Sequence, residues 1–219
     1  MNIKHITVLL LTASMLASCG GVAEKSDSTA QEPAPIEAQE EVCSYSYSEA
    51  PVEVLWVAYK YTQKTGVRGV FEEVTVMPGG KGSPAEALQG ASININTASS
   101  NSGDIARDPK IDASFFGELE NGAEISGVIT AAEGDDLAGT VIVDITMNGM
   151  TMPVPGTYEV KDAQVELKLE LNVETWSAGD ALASLNKVCE DLHKGPDGAS
   201  VLWPDVTVFV TTTLNKECN

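Results

Sequence analysis

One histidine lies beyond the N-terminal apolar segment, His193, and it follows Cys189 by four residues. On a helix that spacing puts a thiol and an imidazole on one face, the start of a zinc site. Tetrahedral zinc needs two further ligands, and the other histidine, His5, belongs to the first residues of the chain. Cys189 therefore reads as a buried thiol or half of a disulfide, and no metal is expected. Asp104, Asp108 and Asp112, like Glu133, Asp135 and Asp136, match no calcium-loop spacing and read as solvated turns. A Ser-His-Asp set would have to be built on His193 alone, and no glycine-rich phosphate loop is present. No catalytic residue and no cofactor are expected. Two features keep chemical interest. Arg107-Asp108 can hold a polar head or pin a loop. Phe115-Phe116, half of the chain's four phenylalanines, closes a polar excursion that runs on from Ile95.

The elements around these residues are mostly strands. From Ala163 to Glu174, Val165, Leu167, Leu169, Leu171 and Val173 alternate with Gln164, Glu166, Lys168, Glu170 and Asn172. Period two marks a strand buried on one face. Leu137–Met147, Val206–Leu214, Val52–Tyr61, Val67–Val76 and Ala123–Ala131 show weaker versions. Asn148-Gly149 supplies the positive φ angles of a two-residue hairpin turn. Thr65-Gly66, Asp135-Asp136 and Lys161-Asp162 mark further turns. About eight antiparallel strands with one apolar face leave a sandwich or a closed barrel. One segment breaks the pattern. Ser177 and Asp180 have capping-box spacing, and Ala181, Leu182, Leu185, Val188, Cys189 and Leu192 recur at helical intervals until Gly195-Pro196. A helix is expected from Ser177 to Lys194, a shorter one at Ser83–Leu88, and a turn or two between Asp104 and Phe116. Trp56, Trp176 and Trp203 are expected in the core or plugging a barrel end.

The N-terminus sets the compartment. Lys4 precedes an apolar run from Ile6 to Leu16, too short to span a bilayer but suited to a signal peptide. Leu16-Ala17-Ser18-Cys19 resembles the bacterial lipobox, which implies cleavage after residue 18 and a lipid on Cys19. Residues 19–42 are rich in Glu, Ala, Ser and Pro and cannot bury enough surface to fold. They read as a tether of about 25 Å reach. Residues 43–219 suffice for one domain. A net charge of −19 argues against nucleic acid and against electrostatic binding to anionic lipids. Membrane attachment then rests on the covalent lipid, and the bacterial cell envelope is the expected location. Cys43, Cys189 and Cys218 permit at most one intrachain bridge. Cys43–Cys218, joining the two ends of the domain, is favoured, with the two pairings through Cys189 left open.

Several of these patterns occur in a set order. Ile95-Asn96-Thr97, a polar loop, Arg107-Asp108 and Phe115-Phe116-Gly117 together resemble the YceI-like family. So does the hairpin from Ile145 to Val154 with its Asn-Gly turn and Pro-Val strand, and so does Val67-Arg68-Gly69-Val70-Phe71. The resemblance runs from about Val52 to Leu214. It implies a lipocalin-like antiparallel barrel around an elongated amphiphile, a polyisoprenoid or related long-chain lipid. Two departures stand out. Lys110-Ile111 occupies the place where the family's histidine usually follows Arg-Asp, and the Ser177–Lys194 helix replaces a late strand region.

The expected protein is thus mainly β, an eight-stranded lipocalin-like barrel with one helix in its C-terminal half, anchored to the membrane through its N-terminal lipid. Val143, Ile145, Val165, Leu167, Leu169 and Leu171 are expected to line the cavity, with Phe115 and Phe116 at its edge and Arg107 near a polar head. Ala58, Gly69, Gly127 and Gly139 are small enough to leave the interior open. A barrel filled by its own side chains, acting through interactions, is the alternative, and an enzyme on a lipid-like substrate is a third. The oligomeric state is open, a dimer included.

Overall fold

The computed structural model describes residues 42–219; Cys19 and the tether up to residue 41 lie outside that span. The chain forms β1 (Cys43–Tyr47), β2 (Glu53–Lys60), β3 (Thr65–Phe71), β4 (Val74–Met77), α1 (Pro84–Leu88), β5 (Ser92–Asn96) and β6 (Ser100–Asn101). Then follow α2 (Asp108–Ser114), β7 (Glu124–Gly134), β8 (Ala138–Met147), β9 (Met150–Lys161), β10 (Gln164–Asn172), α3 (Gly179–Val188), α4 (Glu190–His193) and β11 (Leu202–Cys218). Every pairing is antiparallel.

The pairings close a ring. β3 pairs with β2 on one side and β6 on the other, and β4, two residues further along, pairs with β5. β5 and β6 are likewise one strand interrupted by a single 3-10 turn. Counting β3–β4 and β5–β6 as one bent strand each, the ladder runs β3–β4, β5–β6, β7, β8, β9, β10, β11, β2 and returns to β3–β4. This is the expected eight-stranded barrel. Closure leaves no long unpaired edge, the route by which antiparallel sheets avoid edge-to-edge association.

The hairpins follow local chemistry. Asn148 and Gly149 take φ of 52° and 69° between the paired Met147 and Met150. The Asp135 carboxylate accepts from the amides of Leu137 and Ala138, fixing the β7–β8 turn. Two turns differ from expectation by a residue or more. Asp162 and Ala163, at φ 51° and 68°, form the β9–β10 turn, because Lys161 pairs with Gln164. Thr65-Gly66 is not a turn. Both residues lie in β3, opposite Lys60 and Tyr59, and the reversal falls on Tyr61–Lys64, whose end residues take positive φ.

Helices close the end of the barrel where β8, β10 and β2 finish and β11 begins. The helix expected from Ser177 to Lys194 breaks at Cys189 into α3 and α4. Ser177 does not cap it. Buried Trp176 ends a 3-10 turn, Ser177 takes the left-handed conformation after it, and the helix starts from Ala178 with no side-chain cap. Ala181 and Cys189 are buried, but Val188, at the end of α3, and Leu192, in α4, are about half exposed, so the expected apolar stripe does not continue through the break. By contrast, the short α1 has a complete capping box: Ser83 Oγ accepts from the Glu86 amide, and the Glu86 carboxylate accepts from the Ser83 amide. The expected turn before the phenylalanines is α2, which runs into a 3-10 turn at Phe116.

β1 adds a strand outside the ring. It pairs with the last residues of β11 and places Cys43 opposite Cys218, where the two are disulfide-bonded. Among the described residues Cys189 is the free thiol. The bridge closes 175 residues of separation, so it constrains the unfolded chain by about 2–5 kcal/mol.

Candidate functional site

β10 shows how sequence positions the interior. Val165, Leu167 and Leu169 are buried and Leu171 is half-buried, while Gln164, Glu166, Lys168 and Glu170 are exposed. That charged outer face belongs in water and not against lipid tails, which a membrane-spanning barrel would present to apolar side chains. Facing inward, Val165, Leu167, Leu169 and Leu171 join Val143 and Ile145 of β8 on the wall of one cavity of ≈ 160 Å³. All six were expected there. Val54 of β2, Ile95 of β5 and Ala87 and Leu88 of α1 complete much of its lining, and almost none of the wall is polar. The short helix α1 was expected but its place on the cavity wall was not, because five residues carry too little pattern to show which face is inside.

Phe115 and Phe116 line a second apolar cavity of ≈ 140 Å³ next to the first. The two rings meet edge to face with centroids 5.2 Å apart, and Phe116 lies 6.0 Å from Phe71. Phe71, Ile125, Met147, Leu171 and Val208 border both cavities. The polar excursion thus crosses the barrel end and brings two rings back against the interior.

Arg107 lines neither apolar cavity. It borders a third space of ≈ 140 Å³ at the helix-capped end, with Tyr59, Lys60, Cys189 and His193. Trp56, Ala58, Ile111, Leu185 and Leu202 divide this space from the second cavity and border both. Arg107 and Asp108 also pin their loop. The Arg107 Nε–H donates to Ser102 Oγ at 2.7 Å and Nη2 to the Ser102 carbonyl, while Asp108 accepts from the Ser102 amide and hydroxyl. His193 is buried, with Nδ1 2.8 Å from Asn186 Oδ1. Burial, aided by Lys60 and Lys110, pushes its pKa down to about 4 and keeps the ring neutral at pH 7. The amide oxygen can only accept, so Nδ1 carries the proton and Nε2 is left as an acceptor.

Two of the small residues expected to leave space do not. The Trp56 ring lies over Gly69, where a Cβ would come within 2.5 Å of Cε2, and Tyr158 occupies the notch at Gly139. Ala58 and Gly127 do border open space. Trp176, which donates from Nε1 to the Ile145 carbonyl, and Trp203, which donates to that of Tyr61, seal the helix-capped end.

A closed antiparallel barrel of eight strands with an apolar hollow and one helix-capped end defines a lipocalin-like binding fold. The chain belongs to the YceI-like family: the model of the YceI-like domain matches residues 45–213. Solved structures share the fold at low identity. One is BcnA of Burkholderia cenocepacia, with 17% identity, TM-score 0.50, and 76% of this chain and 96% of that one covered. Another is a polyisoprenoid-binding domain from Saccharophagus degradans implicated in plant cell wall breakdown, with 13% identity, TM-score 0.52, and 81% and 100% covered. The YceI protein of Campylobacter jejuni aligns at 17% identity and TM-score 0.50 over 72% of this chain and 89% of that one. No curated protein matches the chain.

Proposed function

We propose that this protein binds an elongated apolar ligand, a polyisoprenoid or similar long-chain lipid, inside its barrel, and that it sequesters or carries that ligand in the bacterial envelope while tethered through Cys19. The observation that carries this reading is the ≈ 160 Å³ cavity walled by Val143, Ile145 and the inward face of β10, with a second apolar cavity adjoining it. An apolar chain gains about 0.8 kcal/mol for each CH₂ it buries. Ten carbons gain roughly 8 kcal/mol before the cost of association, enough for useful affinity without a single hydrogen bond. The polyisoprenoid binding named for the Saccharophagus domain supports this ligand class. Burial needs no nucleophile or base, so the protein is read as a binding protein and not an enzyme.

The filled-barrel alternative draws on Trp56 over Gly69 and Tyr158 over Gly139, which do close part of the interior. Native mass spectrometry of the purified protein, with organic extraction of the same sample, separates the two. A copurifying long-chain lipid is expected. Protein that never yields lipid, and takes up none when offered farnesol, would favour the filled barrel.

A further inference from the structure

The end of the barrel opposite α3 and α4 is covered by a short plug, α1. It rides on residues 78–91, between the paired Met77 and Ser92. Ala87 and Leu88 of α1, Pro78 and Gly79 before it, and Tyr47 and Leu214 of the β1–β11 pair all border the first cavity. The two sides of the plug are held by different parts of the chain. Its C-terminal side is fastened to β7. The Gly90 amide donates to the Ile129 carbonyl at 2.9 Å, and the Gln89 side chain bonds the Thr130 carbonyl and the Ala132 amide. Its N-terminal side is fastened to β1, where Tyr45 and Gly82 exchange two backbone hydrogen bonds of 2.6 and 3.0 Å. Lys81 adds an exposed ion pair to Glu217 of β11. β1 itself lies outside the ring, and the bridge to Cys218 fixes its first residue, Cys43, to β11.

We propose that the Cys43–Cys218 bridge is a redox latch on this plug. Oxidised, it holds β1 against α1 and keeps the first cavity shut at this end. Reduced, it lets β1 and the N-terminal side of α1 lift, and the cavity opens to the outside. The inference rests on the tunnel reading above and adds a gate and its regulation.

Without the bridge β1 is five residues laid on one edge of β11, and a strand so short has little stability of its own. The ring does not pass through β1, so releasing it leaves the eight-stranded barrel closed. Both cysteines lie outside residues 45–213, so the bridge is no part of the domain that matches. The plug has a hinge on the side that stays fastened. Gly90 takes φ of 80°, and a side chain placed there would meet nothing within 4 Å, so the chain has room to turn about it. The bridge is also within reach of its reagent, a dithiol. Cys218 is exposed, which leaves the disulfide open to attack by a thiolate. Attack frees one cysteine and leaves a mixed disulfide on the other. The second thiol of the reagent then displaces that one. Cys43 and Cys218 gain two electrons and two protons between them, and the dithiol leaves as a disulfide. Cys189 is buried and borders the space at the helix-capped end, so it does not compete for either partner.

The test has two arms. In the first, hydrogen exchange read by mass spectrometry compares the oxidised protein with the same protein reduced by dithiothreitol. β1, residues 78–91 and the end of β11 are expected to exchange about tenfold or more faster on reduction, while β8, β9 and β10 keep their protection. The double variant Cys43→Ser, Cys218→Ser should show the open pattern with or without reductant, and reoxidation of the parent should restore the closed one. In the second arm, uptake of farnesol and its release to phosphatidylcholine vesicles are timed. A gate speeds both alike, so reduction should quicken each by about tenfold or more with the Kd nearly constant. Protection that is unchanged at β1 and residues 78–91, or that falls evenly along the whole barrel, overturns the latch. So does selective opening with an unchanged release rate, or a Kd weakened in proportion to faster release. If neither form binds farnesol, the tunnel reading falls, and the exchange pattern alone decides whether the bridge latches the plug.

Discussion

Gly156 of β9 and Leu169 of β10 are partners on neighbouring strands of the barrel wall, and the Leu169 side chain occupies the place where a side chain at 156 would begin. A Cβ at 156 would strike Leu169 Cδ2 and stand 2.7 Å from the Lys168 carbonyl oxygen, which cannot yield as a flexible side chain can. Gly156→Ala should therefore destabilise the domain by about 1–3 kcal/mol, read as a lower urea midpoint at unchanged slope. Leu169→Trp probes the other side of the same contact. It keeps the wall apolar but adds volume where the first cavity lies, so it should abolish uptake of farnesol by a protein that still folds. Unchanged uptake by folded Leu169→Trp would place the ligand elsewhere.

The end-to-end disulfide predicts a simple count. Thiol titration of denatured, unreduced protein spanning residues 42–219 should find one free thiol, that of Cys189, with Cys43 and Cys218 linked. Reduction should then lower stability by about 2–5 kcal/mol, because the bridge closes nearly the whole domain into a loop. Three free thiols before reduction, or a crosslinked peptide containing Cys189, would contradict the register of β1 on β11.

His193 predicts a pH dependence whose sign follows from its environment. Its pKa is about 4 in the folded chain against an ordinary 6.5, so between these values the unfolded chain binds the extra proton. Stability is full above pH 6.5, falls as the pH drops toward 4, and loses nothing further from this group below that. Allowing for screening through the open cavity, the loss is on the order of 2 kcal/mol. Asp135 and Asp197 also have lowered pKa values, from amide and hydroxyl hydrogen bonds, but their contribution is lost only below the ordinary aspartate range. Urea midpoints at pH 7, 5.5 and 4 should thus converge between the parent and His193→Gln as the pH falls. Parallel curves would mean that the imidazole is not buried neutral.

Much of the barrel was legible because one buried face forces alternation. β10 carries it without a break, and the pattern together with the family resemblance put four of its positions and two of β8 on the cavity wall. The Asn148-Gly149 turn was legible because few residues accept its angles. Ser177 misled because its spacing to Asp180 is a capping signal only if the residue before it is free to extend, and Trp176 is instead locked in the core by its bond to Ile145. Gly69 and Gly139 misled for a register reason: whether a glycine leaves a hollow or receives a ring depends on Trp56 and Tyr158 across the ladder. The polar end was illegible for a stronger reason. Lys60, Arg107 and His193 come from β2, the loop before α2 and the last residue of α4, and only the folded chain brings them to one space.

The anchor is the remaining claim that a direct experiment decides. Its support is the sequence Leu16-Ala17-Ser18-Cys19 behind a short apolar run. If acyl chains on Cys19 hold the protein at the membrane, nothing else in the chain should. The net charge of −19 repels anionic lipids, the outer face of β10 is charged, and no helix among the described residues is long and apolar enough to cross a bilayer. Each acyl chain contributes about 0.8 kcal/mol per buried CH₂, so stable attachment needs more than one chain. Cys19→Ser should therefore yield either uncleaved precursor or protein in the soluble envelope fraction, whereas the parent, labelled with radioactive palmitate, should sediment with membranes and carry the label. Cys19→Ser protein that has lost residues 1–18 and still sediments with membranes would refute the lipid anchor and require an attachment surface on the folded domain.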